Sequence, residues 1–382
     1  MKIVHLCLSS FFIDNYSYQE NILPKFHLKM GNEVTVIASL FTFGKDGRGT
    51  YLSNPSEYSD NAGFKVIRLA YKKPFMINRV LRRYEGFYST LQKESPDIIF
   101  SHSISFVDAI VLSKYLKNHP SVKLYADNHA DFINSANNFL SSYVLHKLIY
   151  RHYVKKLEPF ITKCFGVTPM RCRFLKDMYG IPMNKIAFLP MGVDDDLLPI
   201  NRDSVRSNVR DSLGLNDTDF LIITGGKIDK KKNIHVLIDA IKKLNHQKVH
   251  LVICGVLTPD MEYLKETIDN ISNIHFQGWC NSEQVMNYMI ASDLACFPGT
   301  HSTLWEQSVG MGLPSIFKRW PEMEHVNVNN NCVFVKGDDI NELKRCISNF
   351  LDLSFYSDIK ERAALASKSF LYSEIAKKSI GL

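Results

Sequence analysis

No stretch of this 382-residue chain approaches the ~20 consecutive apolar residues that a membrane span requires. Its uninterrupted runs, such as Phe220–Ile223 and Leu251–Cys254, are strand-sized. The N-terminal MKIVHLCLSSFF runs straight into a turn and reads as a first core strand, not as a signal peptide. None of the eight cysteines (Cys7, Cys164, Cys172, Cys254, Cys280, Cys296, Cys332, Cys346) forms a CxxC pair. Several lie in apolar runs, where a thiol behaves as a small hydrophobe, so neither a disulfide framework nor a zinc site is expected and a reducing cytoplasm is. Repeats and low-complexity tracts are absent. With 45% hydrophobic and 22% charged residues, a disordered class is excluded as well. No Asp-x-Asp stands in a loop with the context of divalent-ion chelation, and no metal is expected.

The length suits two domains. Strand signals alternate with helix signals throughout, which argues for βαβ units and parallel sheets. Lys2–Leu8, Glu33–Ala38, Asp97–Phe100, Val122–Tyr125, Ile161–Val167 and Ile186–Phe188 read as strands of a first half, with helices at Glu20–Met30 and Val107–Lys117. Residues 196–218 are mostly polar and read as a linker. A second cycle follows, with strands at Leu221–Thr224, His250–Cys254, Ile274–Phe276 and Leu294–Phe297 and a helix at Ile234–Leu244. The expected fold class is α/β with two Rossmann-like domains, 1–195 and 219–365. Ligands in such sheets bind beyond the carboxyl ends of the strands.

Charge is unevenly spread. Residues 1–195 hold 25 Lys and Arg against 16 Asp and Glu, whereas the remainder hold 21 against 23. The segment Lys65–Arg83 contains Lys65, Arg68, Lys72, Lys73, Arg79, Arg82 and Arg83 and no acid, interleaved with Phe75, Met76, Ile77, Val80 and Leu81. It reads either as a face for an anionic membrane surface or as a solvated helix beside a loop. Nucleic acid is not an expected partner, since no binding motif accompanies the charge.

Two βα loops of the second half carry candidate chemistry. In Gly225–Asn233, glycines admit close approach of a ligand to the backbone, and Lys227 and Lys230–Lys232 offer charge for a diphosphate, although lysine-rich loops are ordinarily just solvated. In Phe297–Pro314, His301, Ser302 and Thr303 present polar groups at a helix start, with Glu306 and Gln307 in its first turns. Gly310 and Gly312 in that helix fit tight packing equally well.

Together these segments resemble the donor-binding domain of glycosyltransferases with the GT-B fold, in particular the retaining family four. Gly226, Lys227, Ile228, Lys232 and Asn233 match its Gly-Arg-Leu…Lys-Gly loop, Phe276-Gln277-Gly278-Trp279 its Phe-x-Gly, and Gln307–Pro314 its Glu-Ala-Met-Ala-Cys-Gly-x-Pro helix. In the first half, Val167-Thr168-Pro169, Tyr179-Gly180-Ile181-Pro182 and Ile186–Asp194 resemble its interdomain signature, and Tyr125–Asp131 its functional-histidine strand. The resemblance spans roughly Met1 to Val326. It implies two Rossmann-like domains facing each other across a cleft, with residues 366–382 forming a helix that crosses back to the first. Lys227 and Lys232 would hold the donor diphosphate, and His129 would contact the transferred sugar. Gly226, Gly278, Trp279, His301, Ser302, Thr303, Glu306 and Gln307 would surround the donor; Tyr16, Ser17, Tyr18, Gln19 and His102 would lie toward the acceptor.

The sequence departs from the family in three places. Lysine replaces the usual arginine at position 227, giving a point charge in place of a planar fork. Gln307 aligns with the ribose glutamate, with Glu306 beside it, and the sugar-side glutamate has no counterpart unless His301 fills its space. Asp14–Gln19 replaces the usual glycine pair after the first strand. The implied activity is retaining, metal-independent transfer from a nucleoside-diphosphate sugar, UDP-sugar foremost, to a glycan or lipid-linked acceptor in envelope polysaccharide synthesis. The sugar nucleotide is then a substrate and no cofactor is needed, and the enzyme is expected to be cytoplasmic and peripheral on the membrane's inner face. An inactive sugar-nucleotide-binding scaffold and a sugar-nucleotide epimerase are the alternatives.

Overall fold

Burial on both faces is what a parallel strand between helical layers requires, and β1 (Lys2–Cys7) is buried from its second residue onward. The computed structural model describes every residue except 45–47, 133–134 and 136–139. The chain forms two units, one of Met1–Pro190 with Ile375–Leu382, the other of Met191–Glu374.

The first unit is built on an eight-stranded sheet. Its strands are β1, β2 (Glu33–Ser39), β5 (Ser56–Ser59), β6 (Lys65–Leu69), β7 (Ile98–His102), β8 (Lys123–Asn128), β9 (Ile161–Gly166) and β10 (Ile186–Phe188). Their order is β10-β9-β8-β7-β1-β2-β6-β5, parallel except for the edge pair β5 and β6. A separate antiparallel ribbon joins β3 (Phe41–Phe43) to β4 (Gly49–Tyr51). The core is continuous from Val4, Leu6 and Ile99 to Phe106, Leu124, Phe174 and Tyr179. The final segment belongs here too: Ser379 and Ala376 meet His27 of the helix Gln19–Lys29.

The second unit carries a six-stranded, all-parallel sheet in the order β13-β12-β11-β14-β15-β16. These are β11 (Phe220–Ile228), β12 (Val249–Leu257), β13 (Ile274–Gly278), β14 (Leu294–Phe297), β15 (Ser315–Lys318) and β16 (Cys332–Val335). The polar stretch 196–218 holds a helix, Arg202–Ser212, capped by the Asn201 side chain. Its polarity is spent internally: Arg206 and Arg210 pair with Asp293 at 2.6 and 3.3 Å and donate to the Ala291 carbonyl. Such a helix needs few apolar residues, because guanidinium groups replace them in holding it down.

The basic block divides. Arg68 is fully buried, paired with Asp14 at 2.9 Å and donating to the Phe12 and Ser39 carbonyls, and Lys65 is tied to Glu57 and Glu94. These two charges are structural and do not face a partner. The helix Phe75–Leu81 behaves differently, exposing Met76, Ile77 and Val80 by half or more. All eight cysteines are free thiols, six of them buried. Among the described residues no helix is long and apolar enough to cross a membrane.

Candidate functional site

In the second unit the sequence brings two loops against one another at the carboxyl ends of β11 and β14. Gly226 of β11 lies opposite Gly255 of β12, and a side chain at Gly255 would run into the Gly226 carbonyl. At Gly299 a side chain would strike the backbone of Lys232. Glycine is therefore required where backbone meets backbone. Four hydrogen bonds sew the loops together. The Lys232 ammonium donates to the carbonyls of Thr300 (2.7 Å) and His301 (3.2 Å), the Thr300 amide donates to the Lys231 carbonyl (3.0 Å), and the Asn233 amide group donates to the Pro298 carbonyl (3.2 Å). Burial pulls the Lys232 ammonium down from its ordinary value. Lys227 is exposed, and its ammonium makes no hydrogen bond or ion pair among the described residues.

Beyond the loop, Glu306 is wholly buried, and its Oε1 accepts from Nε2 of both His301 (2.7 Å) and His325 (2.8 Å). Burial alone would raise this carboxyl, but the two imidazoles override it and hold the group well below the usual carboxylate range. The ligand atoms of this trio lie within 4.8 Å of one another. At the observed lengths it is a hydrogen-bonded clamp; two donors of one tetrahedral ion would stand ~3.3 Å apart, so an ion would have to spread them. Ser302 Oγ, Trp305 Nε1 and Glu306 Oε2 are buried without a partner among the described residues. Thr303 is exposed, Gln307 half-buried, and Trp279, after the left-handed Gly278, stands out at 73% exposure. Thus Glu306 is turned inward and Gln307 is left accessible. His325 was not among the expected residues. It lies 19 residues beyond Glu306 in a segment with no motif, and only the fold brings it in.

In the first unit, β7 and β8 end side by side with His102 opposite Asp127. Asp127 is fully buried; its Oδ2 accepts from His102 Nδ1 (2.9 Å) and Gln19 Nε2 (3.0 Å), and its Oδ1 from the Ser103 amide (3.1 Å). His129 follows, with Nε2 3.6 Å from the same Oδ2. Burial would lower the His129 pKa, yet the Asp127 charge prevails and raises it. The same rings overcome the burial of Asp127 and hold its carboxyl well below the usual range.

His129 lines a cavity of about 490 Å³ with Tyr18, Glu20, Arg82, Ser103 and Tyr150. Of the residues expected toward the acceptor, Tyr16, Ser17 and Tyr18 are exposed, with the Tyr16 ring tilted against those of Tyr18 and Phe43. Gln19 and His102 are not: each is buried, with Gln19 Nε2 and His102 Nδ1 both held by Asp127. Arg82 and Glu20 were missed. Arg82 is one basic residue in a run of seven, and nothing in the sequence distinguishes the one that turns inward to Ser105.

Residues 205–366 match the family model described as Glycosyl transferases group 1. No curated protein sequence matches the chain. Solved structures match it along its length. A glycosyltransferase from Rickettsia africae superposes with a TM-score of 0.68 at 16% identity, over 99% of this chain and 96% of that one. The Anabaena protein HepE in complex with UDP gives 0.67 at 17%, over 99% and 98%. WaaG, a glycosyltransferase involved in lipopolysaccharide biosynthesis, gives 0.63 at 16%, over the full length of both. The chain therefore resembles the group 1 glycosyl transferases in residues 205–366 and has, over its whole length, the two Rossmann-like domains of the GT-B fold.

Proposed function

We propose that this chain transfers a sugar from a UDP-sugar to a glycan or lipid-linked acceptor, with retention and without a metal. The observation that carries the proposal is the pair of loops pinned by Lys232. An ammonium has three N–H donors, and two are spent on carbonyls, which leaves one for a ligand beside the unpaired charge of Lys227. Donors fixed in advance stabilise the charge that develops on a leaving diphosphate without reorganisation. The bond from the anomeric carbon to the diphosphate oxygen breaks as the acceptor oxygen attacks from the same face. The acceptor's proton passes to the departing phosphate oxygen, so no strong protein base is needed. His129, whose proton the Asp127 carboxylate favours, serves as a hydrogen-bond donor to the sugar. With Glu306 turned inward, Gln307 is assigned to the ribose.

The complexes of HepE with UDP and with UDP-glucose support uridine as the base, and the role of WaaG supports an envelope glycan. Incubated with UDP-glucose in EDTA and no acceptor, the chain is expected to release UDP slowly. Proton NMR of the released sugar should show first the anomer that the donor carried. Release of the opposite anomer, or an altered sugar on an intact nucleotide, would overturn this assignment.

The apolar ridge Met76, Ile77 and Val80, preceded by Lys72 and Lys73, supports a peripheral seat on anionic lipid at the membrane's inner face. Cosedimentation with phosphatidylglycerol vesicles is expected and should be lost in Met76→Asp/Ile77→Asp. Equal binding by that variant would show that the ridge is not the seat.

A further inference from the structure

The cavity that His129 lines also holds a positive charge to which the transfer chemistry gives no task. Arg82 ends the helix Phe75–Leu81 in the left-handed region, at φ 56° and ψ 62°. Its basic neighbours turn elsewhere. Arg79 Nη1 donates to the Tyr51 hydroxyl (3.4 Å) and Arg83 lies 3.9 Å from Asp108, whereas Arg82 enters the cavity. Arg82 Nη1 donates to the Ser105 carbonyl (2.6 Å) and to the Ser105 hydroxyl (2.9 Å). The guanidinium lies over the Tyr150 ring, 5.4 Å from its centroid. Tyr150 in turn donates its hydroxyl proton to the Val80 carbonyl (2.8 Å), so the ring is tied to the same helix.

A guanidinium has five N–H donors in one plane, and Nη1 spends both of its own on Ser105. The edge formed by Nε and Nη2 has no acceptor and no carboxylate among the described residues, and neither atom is closed off from solvent. Along that edge Nε–H and one Nη2–H run parallel, the geometry that meets two oxygens of a phosphate or carboxylate. Ser105 on one side and the Tyr150 face beneath hold the fork in place before any ligand arrives. The cavity's acid stands at its other end: Glu20 is among the charges that act on His129. At the near end, burial and then the Arg82 charge hold His146 at about 4, so that ring is neutral near pH 7 and the positive charge there is that of Arg82.

We propose that Arg82 anchors an anionic group, a phosphate or a carboxylate, borne by the acceptor, and thereby selects charged acceptors over neutral glycans. The inference rests on reading this cavity as the acceptor's place and narrows what it takes. Glu20 suits sugar hydroxyls and repels an anion, so the charged group belongs at the Arg82 end. Two sources supply such a group. One is the phosphate of a lipid-linked acceptor, whose tail would follow the exposed ridge of Met76, Ile77 and Val80 on the helix that Arg82 ends. The other is a phosphorylated or uronic sugar within the glycan itself.

The test is nitrogen NMR of the labelled full chain without donor, read at Arg82 Nε–H, assigned through Arg82→Lys, and at the Ser103 and Ser105 amides. All three reporters belong to residues that line the cavity. The probes are farnesyl phosphate, glucose 1-phosphate, glucuronate and, as the neutral control, methyl glucoside. Saturable shifts are expected from an anion and none from methyl glucoside at equal concentration. Tightest binding of farnesyl phosphate supports the proposal with a lipid-borne group; tightest binding of glucose 1-phosphate or glucuronate supports it with a group on the glycan. Arg82→Gln should weaken the anion about tenfold or more at the two amides, as loss of a charge-assisted pair requires. Arg82→Lys keeps the charge without the fork and should fall between. An Arg82 Nε–H that none of the anions moves would overturn the proposal without any variant having to fold. Undiminished binding in Arg82→Gln, or methyl glucoside binding as well as the anions, would overturn it too. No sugar is transferred in these titrations, so their failure leaves the transfer reading standing, and a chain that binds the anion yet transfers nothing contradicts only that reading.

Discussion

Lys232→Met is expected to lower the turnover of UDP-sugar by about 10²–10³-fold, the loss found when one preorganised donor to a developing anion is removed. Two effects combine in that variant. The loops also lose the bonds to the Thr300 and His301 carbonyls, so the melting temperature should fall. Lys227→Ala separates the effects, because Lys227 is exposed and holds nothing in place. It should lose rate and leave the melting temperature unchanged. Full activity in both variants would remove the loops from the chemistry altogether.

His129→Ala is expected to cost about 10²-fold in kcat and in kcat/KM alike, the signature of an interaction realised chiefly in the transition state. His129→Gln, which retains an N–H donor, should recover part of the rate. A general base would behave otherwise. Glutamine would rescue nothing, and activity would grow with the neutral imidazole as pH rises. Since Asp127 raises the His129 pKa, the opposite sign is expected: transfer should decline as pH rises through that value. A variant as fast as the parent would place His129 outside the site.

Much of the architecture was legible because period and length are local properties. The helix Ile234–Leu244 and the strands Ile186–Phe188 and Leu294–Phe297 fall where the apolar pattern places them. The edge strand Ser56–Ser59 and the ribbon Phe41–Phe43 with Gly49–Tyr51 gave no such signal, being only three or four residues long and without a buried face. The helix Arg202–Ser212 was hidden for a related reason: arginines, not apolar residues, fasten it. Site residues separate in the same way. Lys232 and His301 lie in contiguous motifs. His325 and Arg82 are single residues far from those motifs in the chain, each unremarkable until the fold brings it to Glu306 or to Ser105. Glu306 and Gln307 are neighbours in sequence, and which of them turns inward depends on His325, which no local pattern announces.

The donor site is read out by calorimetric titration of the full chain with UDP in EDTA. Saturable binding of one nucleotide without metal is expected, weakened about tenfold or more in Lys227→Ala, as loss of one charge-assisted bond requires. A folded chain that takes up no UDP, or binds it only when a divalent ion is supplied, would contradict it.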